Sequence, residues 1–352
     1  MMPINETTKN EAQLDALLVL PRLRVQNANA ISSPLTWGFP AITAFTGFMT
    51  ALERRLGPQS GLALHGVGVI CHGFEPQVTK GKYERAFSLK KPCIVRRKEA
   101  EKYIKDGTPP SIVEEGQIHL DITLVFDVEL ALSQSGEVER TRLAERISEL
   151  VDGMRIAGGT VVPGVPGISR NPLRPQLVLL SEAVEERLKQ FRRLSRRWLP
   201  GFALVSRDDL LQARQVEMQA IQPGATLLDA WLDLSRLNDR AIRHKTVDEK
   251  TGEARETTEW TIDSRPGWTV PIPVGYAPLT ALHPPGAVDG ARDANVPFQF
   301  VESVYSIGQW ISPHRLNDVA QVLWQPSHDP ATGLYRCVNA FRPSSVPVHH
   351  IA

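Results

Sequence analysis

The amino-acid sequence predicts an α+β protein with three parts: a ferredoxin-like (RNA-recognition-motif-like) core, a long basic insertion and an added helical and irregular C-terminal region. The first observation is the order of elements in the first half: strand, helix, strand, strand, helix, strand. The second is a concentration of Lys and Arg between the second and third of these strands. The third is a change after about residue 180 to helices and then to segments rich in Pro, Trp and Tyr.

Residues 17–27 are predicted to form the first strand, with a break at Pro21 because proline has no backbone N–H to donate. Leu23 and Val25 then point to one side of the strand. Three polar residues point to the other side: Arg22, Arg24 and Gln26. This alternation predicts a strand with one buried face and one cationic face.

Residues 40–56 are predicted to form the first helix. Its apolar positions recur at helical spacing: Phe45, Phe48, Met49, Leu52 and Leu56. Pro40 suits the first helical position and Gly57 suits the C-terminal cap, so both ends have a sequence signal.

The second, third and fourth strands of the core are predicted near 66–71, at 117–130 and after the Gly158–Gly159 pair. The strand at 117–130 has the clearest pattern, since apolar residues occupy every second position and the intervening ones are mostly polar. That alternation predicts one buried face and one free face. A helix with an apolar stripe from Leu143 to Met154 precedes the fourth strand.

The second half is predicted to contain helices at 182–198, 207–220 and 226–237, an exposed and partly mobile loop at 240–265, and short strands and turns from Gly267 onward. The predicted organisation is a flexible N-terminus at 1–16, a core at 17–180 that includes a basic arm at 79–116, and a mixed region at 181–352 that completes the fold and contacts partners.

Composition excludes several classes of protein. The 352 residues are 42% hydrophobic and 22% charged, which is typical of a globular chain. The 40 basic side chains nearly balance 39 acidic ones, which argues against bulk electrostatic binding of long nucleic acids. No apolar run approaches ~18 residues, so no membrane span is expected. The polar start has no basic segment before an apolar one, so no secretory signal is expected either.

Cysteine and histidine usage predicts a reducing, cytoplasmic location and no metal or cofactor. Cys71, Cys93 and Cys337 are few, odd in number and far apart, unlike a disulfide framework or a zinc motif. The nine histidines show no HExxH or HxH spacing, and no Ser/His/Asp signature is present. We therefore expect no catalytic residues.

Three segments of the core are candidates for binding nucleic acid. The first is the arm, where ten basic residues lie between Lys80 and Lys105 against three glutamates. A loop this long is usually functional or disordered, and its charge fits a phosphate backbone as well as it fits plain solvation.

The second candidate is the segment 26–39, QNANAISSPLTWGF. Amides can contact base edges, hydroxyls can contact phosphate or ribose, and aromatic rings can stack on bases. The alternative is structural: Asn and Ser stabilise turns, and Trp37 and Phe39 can be core residues beside a tight turn at Gly38.

The third candidate is the pair Gly158–Gly159, which follows Arg155 and Ala157. Paired glycines allow close approach of a ligand to the backbone, although a β-bulge is the more common reason for them. The spacing matches neither a dinucleotide fingerprint nor a Walker loop, which argues against a nucleotide-dependent enzyme.

One helix of the second half is also a candidate surface. Its sequence ERLKQFRRLSRRW places apolar residues on one face and basic residues on the rest. The basic residues, which can contact RNA, an acidic partner or water, include Arg192, Arg193, Arg196 and Arg197.

Taken together, these segments resemble the Csy-two family, the Cas-five-type (RAMP) subunits of type I-F CRISPR–Cas systems. The resemblance is carried, in chain order, by LLVLPRLRVQNANAISSPLTWGFPAITAFTGF, IVEEGQIHL, MRIAGG, RRLSRRWLPGFALVSR, GWTVPIPVGY, FVESVYSIGQWISPHR and GLYRC. These matches run from about Leu17 to the C-terminus. Three stretches lack a fixed pattern, so least can be carried over there: the first sixteen residues, residues 79–110 of the arm and the loop at 240–265.

The resemblance implies a non-catalytic RNA-binding subunit of the crRNA-guided surveillance (Csy) complex, a cytoplasmic ribonucleoprotein of antiviral defence. Such a subunit pairs with the large Csy-one subunit, and the two hold the 5′ handle of the crRNA beside the Csy-three backbone. A separate Csy-four enzyme makes the crRNA, and target DNA is reached through the assembled complex. No cofactor and no membrane contact are implied.

The resemblance implies that a handle is bound, and the residues predict where. We expect the following to contact RNA: Arg22, Arg24, Gln26, Asn27, Asn29, Ser32, Ser33, Trp37, Phe39, Lys80, Lys82, Arg85, Arg155, Gly158 and Gly159. Two alternatives stay open at this point. One is a metal-independent endoribonuclease that processes repeat RNA, and the other is a protein scaffold without RNA contacts.

Overall fold

The computed structural model describes residues 13–81, 85–90, 113–131, 136–163, 174–247, 254–263, 265 and 267–343. The strands in chain order are β1 (Gln13–Asn29), β2 (Ile31–Ser33), β3 (Thr36–Trp37), β4 (Leu62–Pro76), β5 (Val78–Lys80), β6 (Arg85–Lys90), β7 (Val113–Glu115), β8 (Gln117–Ala131), β9 (Arg155–Ile156), β10 (Gly159–Val162), β11 (Gln176–Leu179), β12 (Phe202–Ser206), β13 (Asp239–Val247), β14 (Ala254–Ile262), β15 (Trp268–Pro278), β16 (Val301–Ile311), β17 (Leu323–His328) and β18 (Tyr335–Asn339). The α-helices are α1 (Ile42–Leu56), α2 (Glu137–Asp152), α3 (Val184–Arg197), α4 (Asp208–Ile221) and α5 (Leu227–Ser235).

These elements form a mixed α/β fold around one large antiparallel sheet of eleven strands. In the part built by the first half of the chain, the order is β4-β8-β1-β10, and β11 pairs with the other end of β1. Thus β8 and β1 lie in the middle, while the second and fourth of the four predicted core strands flank them. None of the helices within the described ranges is long and apolar enough to cross a membrane.

The second half of the chain extends the same sheet and closes part of it into a ring. β4 pairs with β17 at Val67 and Gly68 and with β12 at Ile70 and Cys71. From β12 the pairing continues through β16, β15 and β18 back to β17. Six strands, one of them from the first half, therefore form a closed ring. The predicted boundary near residue 180 stays a prediction, but strands on both sides of it share this sheet.

Helices cover both faces of the sheet. On one face, α1 and α2 bury apolar stripes that include Phe45, Leu52 and Ile147 against β1, β4 and β8. On the other face, α3 buries Phe191 and Leu194 in a second core. The run Ala16–Leu20 of β1 lies between the two cores and is buried throughout, which explains why this strand reads as continuously apolar at its start.

The predicted helices and core strands are confirmed, with two corrections in the first half. Pro40 is not the first helical residue, because α1 begins at Ile42 after Ala41, whereas Gly57 does end the helix with a φ of 75°. The face of β8 expected to be free is partly covered. Thr123 and Val125 are buried there because the second core packs over the middle of the strand.

The prediction of a loop at 240–265 is wrong for its described residues, most of which form strands, whereas the predicted exposure is confirmed for 240–244 and most of 256–262. Residues 248–253 and 264 lie outside the described residues. β13 and β14 form a separate two-stranded sheet in continuous antiparallel register. A hairpin with solvent on both faces has no buried face, so it lacks the apolar alternation that identifies a strand in a sequence. In the insertion, β5, β6 and β7 form a small three-stranded sheet. Of the predicted N-terminal tail at 1–16, residues 13–16 belong to β1 and the others lie outside the described residues.

Candidate nucleic-acid interface

Two β-bulges shape the end of β1 that carries the predicted binding residues. The register with β8 shifts after Leu20 and again after Val25. Arg22 and Asn27 lie in these bulges with φ of 54° and 55°, a left-handed conformation that costs a non-glycine residue of order 1–3 kcal/mol. Bulges redirect side chains and are common beside functional sites. The irregular backbone at this end of β1 is therefore consistent with a binding site.

Arg22 is tied into a polar cluster with strands β4 and β8. Its Nη2 lies 2.8 Å from Oδ2 of Asp121, and its backbone N–H donates to Oγ1 of Thr123 at 3.1 Å. The same hydroxyl lies 2.8 Å from Nε2 of His72, whose Nδ1 is 2.6 Å from the carbonyl oxygen of Pro200. The guanidinium of Arg22 is therefore partly neutralised by Asp121, which weakens its attraction for a phosphate.

Burial lowers the pKa of His72, and the positive charge of Arg22 lowers it further against the opposing effects of Pro200 and Asp121. The unfolded state then binds a proton more tightly than the folded state. The free energy of unfolding is expected to fall as pH drops below about 6.5, by at most about 1.4 kcal/mol per pH unit from this residue. Urea denaturation of His72→Gln between pH 5 and 8 should show a flatter profile than the wild type.

The control for this prediction is His328→Gln, which changes an exposed histidine of β17. It should keep the profile of the wild type. Parallel profiles for the wild type and His72→Gln would contradict a role of His72 in the pH dependence.

Asn27 has its backbone and its side chain already engaged. Its N–H donates to Nδ1 of His119 at 3.2 Å, and its Oδ1 accepts from Nε2 of Gln77 at 2.6 Å. Both Arg24 and Gln26 are exposed and lie opposite Leu23 and Val25 on β1, as the alternation predicted. The backbone of Arg24 pairs with β8 and β10, whereas its side chain makes no hydrogen bond or ion pair within the described part of the chain.

Three residues of the predicted segment have side chains engaged in structural contacts, and two of them are also partly or fully buried. Oγ of Ser33 lies 2.6 Å from Oγ1 of Thr36, and Ser33 is buried. Phe39 is half-buried, stacked on Phe45 at 5.9 Å and edge-on to Trp310 at 4.9 Å. The side chain of Asn29 closes a turn through both the N–H and the C=O of Ile31, which leaves it exposed but partly satisfied.

Gly158 and Gly159 lie in a tight hairpin between β9 and β10 rather than in a bulge. Ala157 and Gly158 form its two-residue turn with φ of 49° and 78°. Gly158 is exposed, with open space where a side chain would be. A Cβ on Gly159 would lie 2.7 Å from both the backbone N of Ala28 and the backbone O of Gln26. The first glycine is therefore available to a ligand, and the second allows β10 to pack against β1.

The structure brings four of the predicted residues together in one groove of about 720 Å³. They are Asn29, Ser32, Arg155 and Gly158, and they face the first turns of α1. Two residues that the sequence did not single out complete the wall: Tyr276 of β15 and Arg292. Arg292 is an isolated arginine in the loop between β15 and β16, so no local pattern could have identified it.

Neither the described part of the arm nor α3 contributes a residue to the wall of this groove. Lys80 and Arg85 are paired in register across β5 and β6, and Lys82 lies outside the described residues. The four arginines of α3 are exposed: Arg192, Arg193, Arg196 and Arg197. Among the side chains of these four arginines, only that of Arg197 has a polar contact within the described residues: its Nη1 donates to Oε1 of Gln176 at 3.3 Å. This face of the helix therefore presents largely unpaired positive charge. Within the described ranges, no group of three His, Cys, Asp or Glu side chains could hold a metal ion.

Two comparisons with known proteins agree with each other. Residues 18–337 match the model of a family described as "CRISPR-associated protein (Cas_Csy2)". The chain is also similar to the CRISPR-associated protein Csy2 of Pseudomonas aeruginosa (strain UCBPP-PA14). The two are 42% identical over 324 residues, which cover 92% of this chain and 94% of that relative.

Proposed function

The chain belongs to the Csy2 family of CRISPR-associated proteins, and on this premise we propose that it is a non-catalytic subunit that holds the 5′ handle of crRNA in the type I-F surveillance complex. The observation that carries the proposal is the groove between α1 and the β9–β10 hairpin. It combines two arginines, Arg155 and Arg292, with amide, hydroxyl and glycine surfaces. This is the mixture that a single-stranded RNA requires.

The chemistry of the groove fits a folded RNA backbone. Arg155 and Arg292 can donate to phosphate oxygens, and the exposed backbone of Gly158 allows close approach of a ribose. Tyr276, which is 40% exposed, offers a ring to a base. Sequence choice of the target is then left to base pairing by the guide, while the protein holds shape and backbone.

The fold supports the same proposal. The order β4-β8-β1-β10, with α1 and α2 on one face, supports a ferredoxin-like core of the RAMP type. In the proposed complex, the basic arm with Lys80, Lys82 and Arg85 clamps the handle, and Arg24 and Gln26 extend the site along β1. The charged face of α3 contacts the large Csy-one subunit or RNA. The Csy-three backbone subunits lie next along the guide RNA, and the assembled complex acts in the cytoplasm.

The double substitution Arg155→Gln and Arg292→Gln should weaken binding of handle RNA by about 100-fold or more. Hydrogen bonds to charged groups contribute about 1.5–3 kcal/mol each. The slope of log K against log salt should fall by about 1.4, at ~0.7 per phosphate on a single strand. The measurement is a titration of the chain, together with its large partner subunit, against a handle RNA and a scrambled RNA at several salt concentrations.

The matched control is Arg243→Gln with Arg342→Gln, which removes two exposed charges outside the groove. It should leave both affinity and slope close to those of the wild type. Equal losses of RNA affinity in the two double variants would mean that the groove contributes no more than any other positive charge on the surface. Cleavage of the RNA in the same titration would contradict the non-catalytic part of the proposal and favour an endoribonuclease.

A further inference from the structure

A second cavity, of about 470 Å³, opens at one end of the six-strand ring. Its wall comes from β2, from β3 with the segment 38–40 that follows it, and from strands β4, β12, β15 and β16. The aromatic residues that line it are Trp37, Phe39, Phe74, Phe202, Trp268 and Trp310. The volume lies within the range of roughly 300–1,000 Å³ that is usual for sites of small organic groups.

Four of these rings are left largely in solvent. The exposed fractions are 52% for Trp37, 51% for Phe74, 42% for Phe202 and 48% for Trp268. Scattered apolar side chains on a surface are ordinary, but four large rings around one cavity form a concentrated apolar surface of the kind that binds a ligand. The ring centroids of Phe202 and Trp268 are 5.7 Å apart, and the planes of the two rings meet at 72°. One ring therefore packs edge-on against the other.

The cavity wall carries almost no charge. Among its lining residues there is no Lys, Arg, Asp or Glu. Both ring nitrogens of His72 are already within hydrogen-bond distance of Pro200 and Thr123. The thiol of Cys71 lies 3.7 Å from the carbonyl oxygen of Gly73, and burial raises the pKa of Cys71 to about 12, so the thiol stays neutral. The cavity therefore suits a flat, uncharged group and disfavours a phosphate or a charged side chain.

The position of the cavity links it to the RNA groove. Ser32 and Pro40 belong to the walls of both, so the groove and the cavity are adjacent. A strand whose phosphates lie against Arg155 and Arg292 can therefore place a neighbouring base in the cavity. Trp37, at the edge of the cavity, also contacts Phe87 of the arm, with centroids 5.3 Å apart.

We propose that this cavity is a base-stacking subsite that receives one unstacked nucleobase of the bound RNA. The base inserts beside Trp268 and Phe202, with its ring faces against the aromatic wall and its polar edges toward the open side. Since stacking depends on the face of the ring, the subsite accepts any of the four bases, and a purine adds more contact than a pyrimidine. The inference rests on the proposed function, because it places one nucleotide of the same RNA.

The test compares Trp268→Ala with Trp260→Ala in the chain bound to its large partner subunit. Trp260 is 69% exposed on β14, is not part of the cavity and provides a matched loss of an exposed indole. Trp268→Ala should bind handle RNA about 5- to 150-fold more weakly, the equivalent of 1–3 kcal/mol for one stacked base. Trp260→Ala should bind like the wild type.

A scan with RNAs that each carry one abasic nucleotide then identifies the base. At one position of the RNA, the abasic substitution should remove the difference between the wild type and Trp268→Ala. At the other positions the two effects should add. Phe202→Ala, measured in parallel, should lose its effect at the same position, which keeps the test valid if Trp268→Ala unfolds.

Three outcomes would overturn the inference. They are unchanged RNA affinity in both cavity variants, additive effects at every abasic position, and loss of affinity for the partner subunit without RNA, which would make the cavity a protein contact. In the first two, RNA binding that still depends on Arg155 and Arg292 would leave the proposed function intact. If the wild-type complex does not bind handle RNA at all, the proposed function fails together with the inference.

Discussion

Replacing Trp324 by alanine is expected to lower the free energy of unfolding by about 3–5 kcal/mol, the range for truncating a fully buried large aromatic residue. Trp324 lies in β17 with no exposed surface. Its Nε1–H donates to the carbonyl oxygen of Leu204 in β12 at 2.8 Å, and its backbone pairs with Val67 of β4. Trp324 thus joins three strands of the closed ring through its backbone and its side chain together, and loss of the side chain leaves both a large cavity and an unpaired buried carbonyl.

Urea denaturation followed by circular dichroism measures this loss. The matched variant Trp324→Phe keeps most of the packing and removes the N–H, so it should cost about 1–3 kcal/mol, the penalty for one buried unpaired acceptor. The mechanism would be contradicted if alanine and phenylalanine cost the same, since packing would then contribute nothing. A loss below about 1 kcal/mol for Trp324→Ala would mean that the ring tolerates the gap by collapsing.

Gly159→Val should both destabilise the fold and abolish handle binding. Any Cβ at this position meets the backbone of Gln26 and Ala28, and backbone atoms cannot move aside as a flexible side chain can. Overpacking of this kind costs about 1–3 kcal/mol or more. Because β10 would be pushed away from β1, the hairpin that carries Arg155 and Gly158 would leave the groove. The measurements are the free energy of unfolding and the titration with handle RNA.

The control for this substitution is Gly224→Ala, at an exposed turn residue where an added Cβ meets nothing within 4 Å. It should stay within about 0.5 kcal/mol of the wild type and should bind RNA normally. If Gly159→Val remains as stable as this control, the close packing of β10 on β1 is not required. If it is destabilised but binds RNA normally below its melting temperature, the hairpin does not position the groove.

The local elements could be predicted because each depends on neighbours in the sequence. The stripe of α1 repeats every three to four residues, and the alternation of β8 repeats every two, so both were identified to within a few residues of their true ends. The β13–β14 hairpin was missed because it lacks such a periodic pattern. It has no buried face that would require apolar residues at every second position, and Trp260 and Ile262 remain exposed.

The sequence could not show which residues of the segment 26–39 line the groove and which ones stabilise the fold. Ser32 and Asn29 line the groove, whereas Ser33 and Phe39 stabilise the turn and the core. All four were equally plausible in the sequence, because hydroxyls, amides and rings serve both purposes. Burial separated them, and burial depends on what α1, β15 and β16 place nearby.

The elements of the core, the alternation of polar and apolar residues along β1 and the resemblance to a family could all be read from the amino-acid sequence, since these are properties of short windows and of their order along the chain. Three features depend on how distant elements pack: six strands close into a ring, Arg155 and Arg292 line one groove, and Trp37 and Trp268 line one cavity. Each joins residues more than a hundred positions apart. Such contacts follow from packing of whole elements, which no local period encodes.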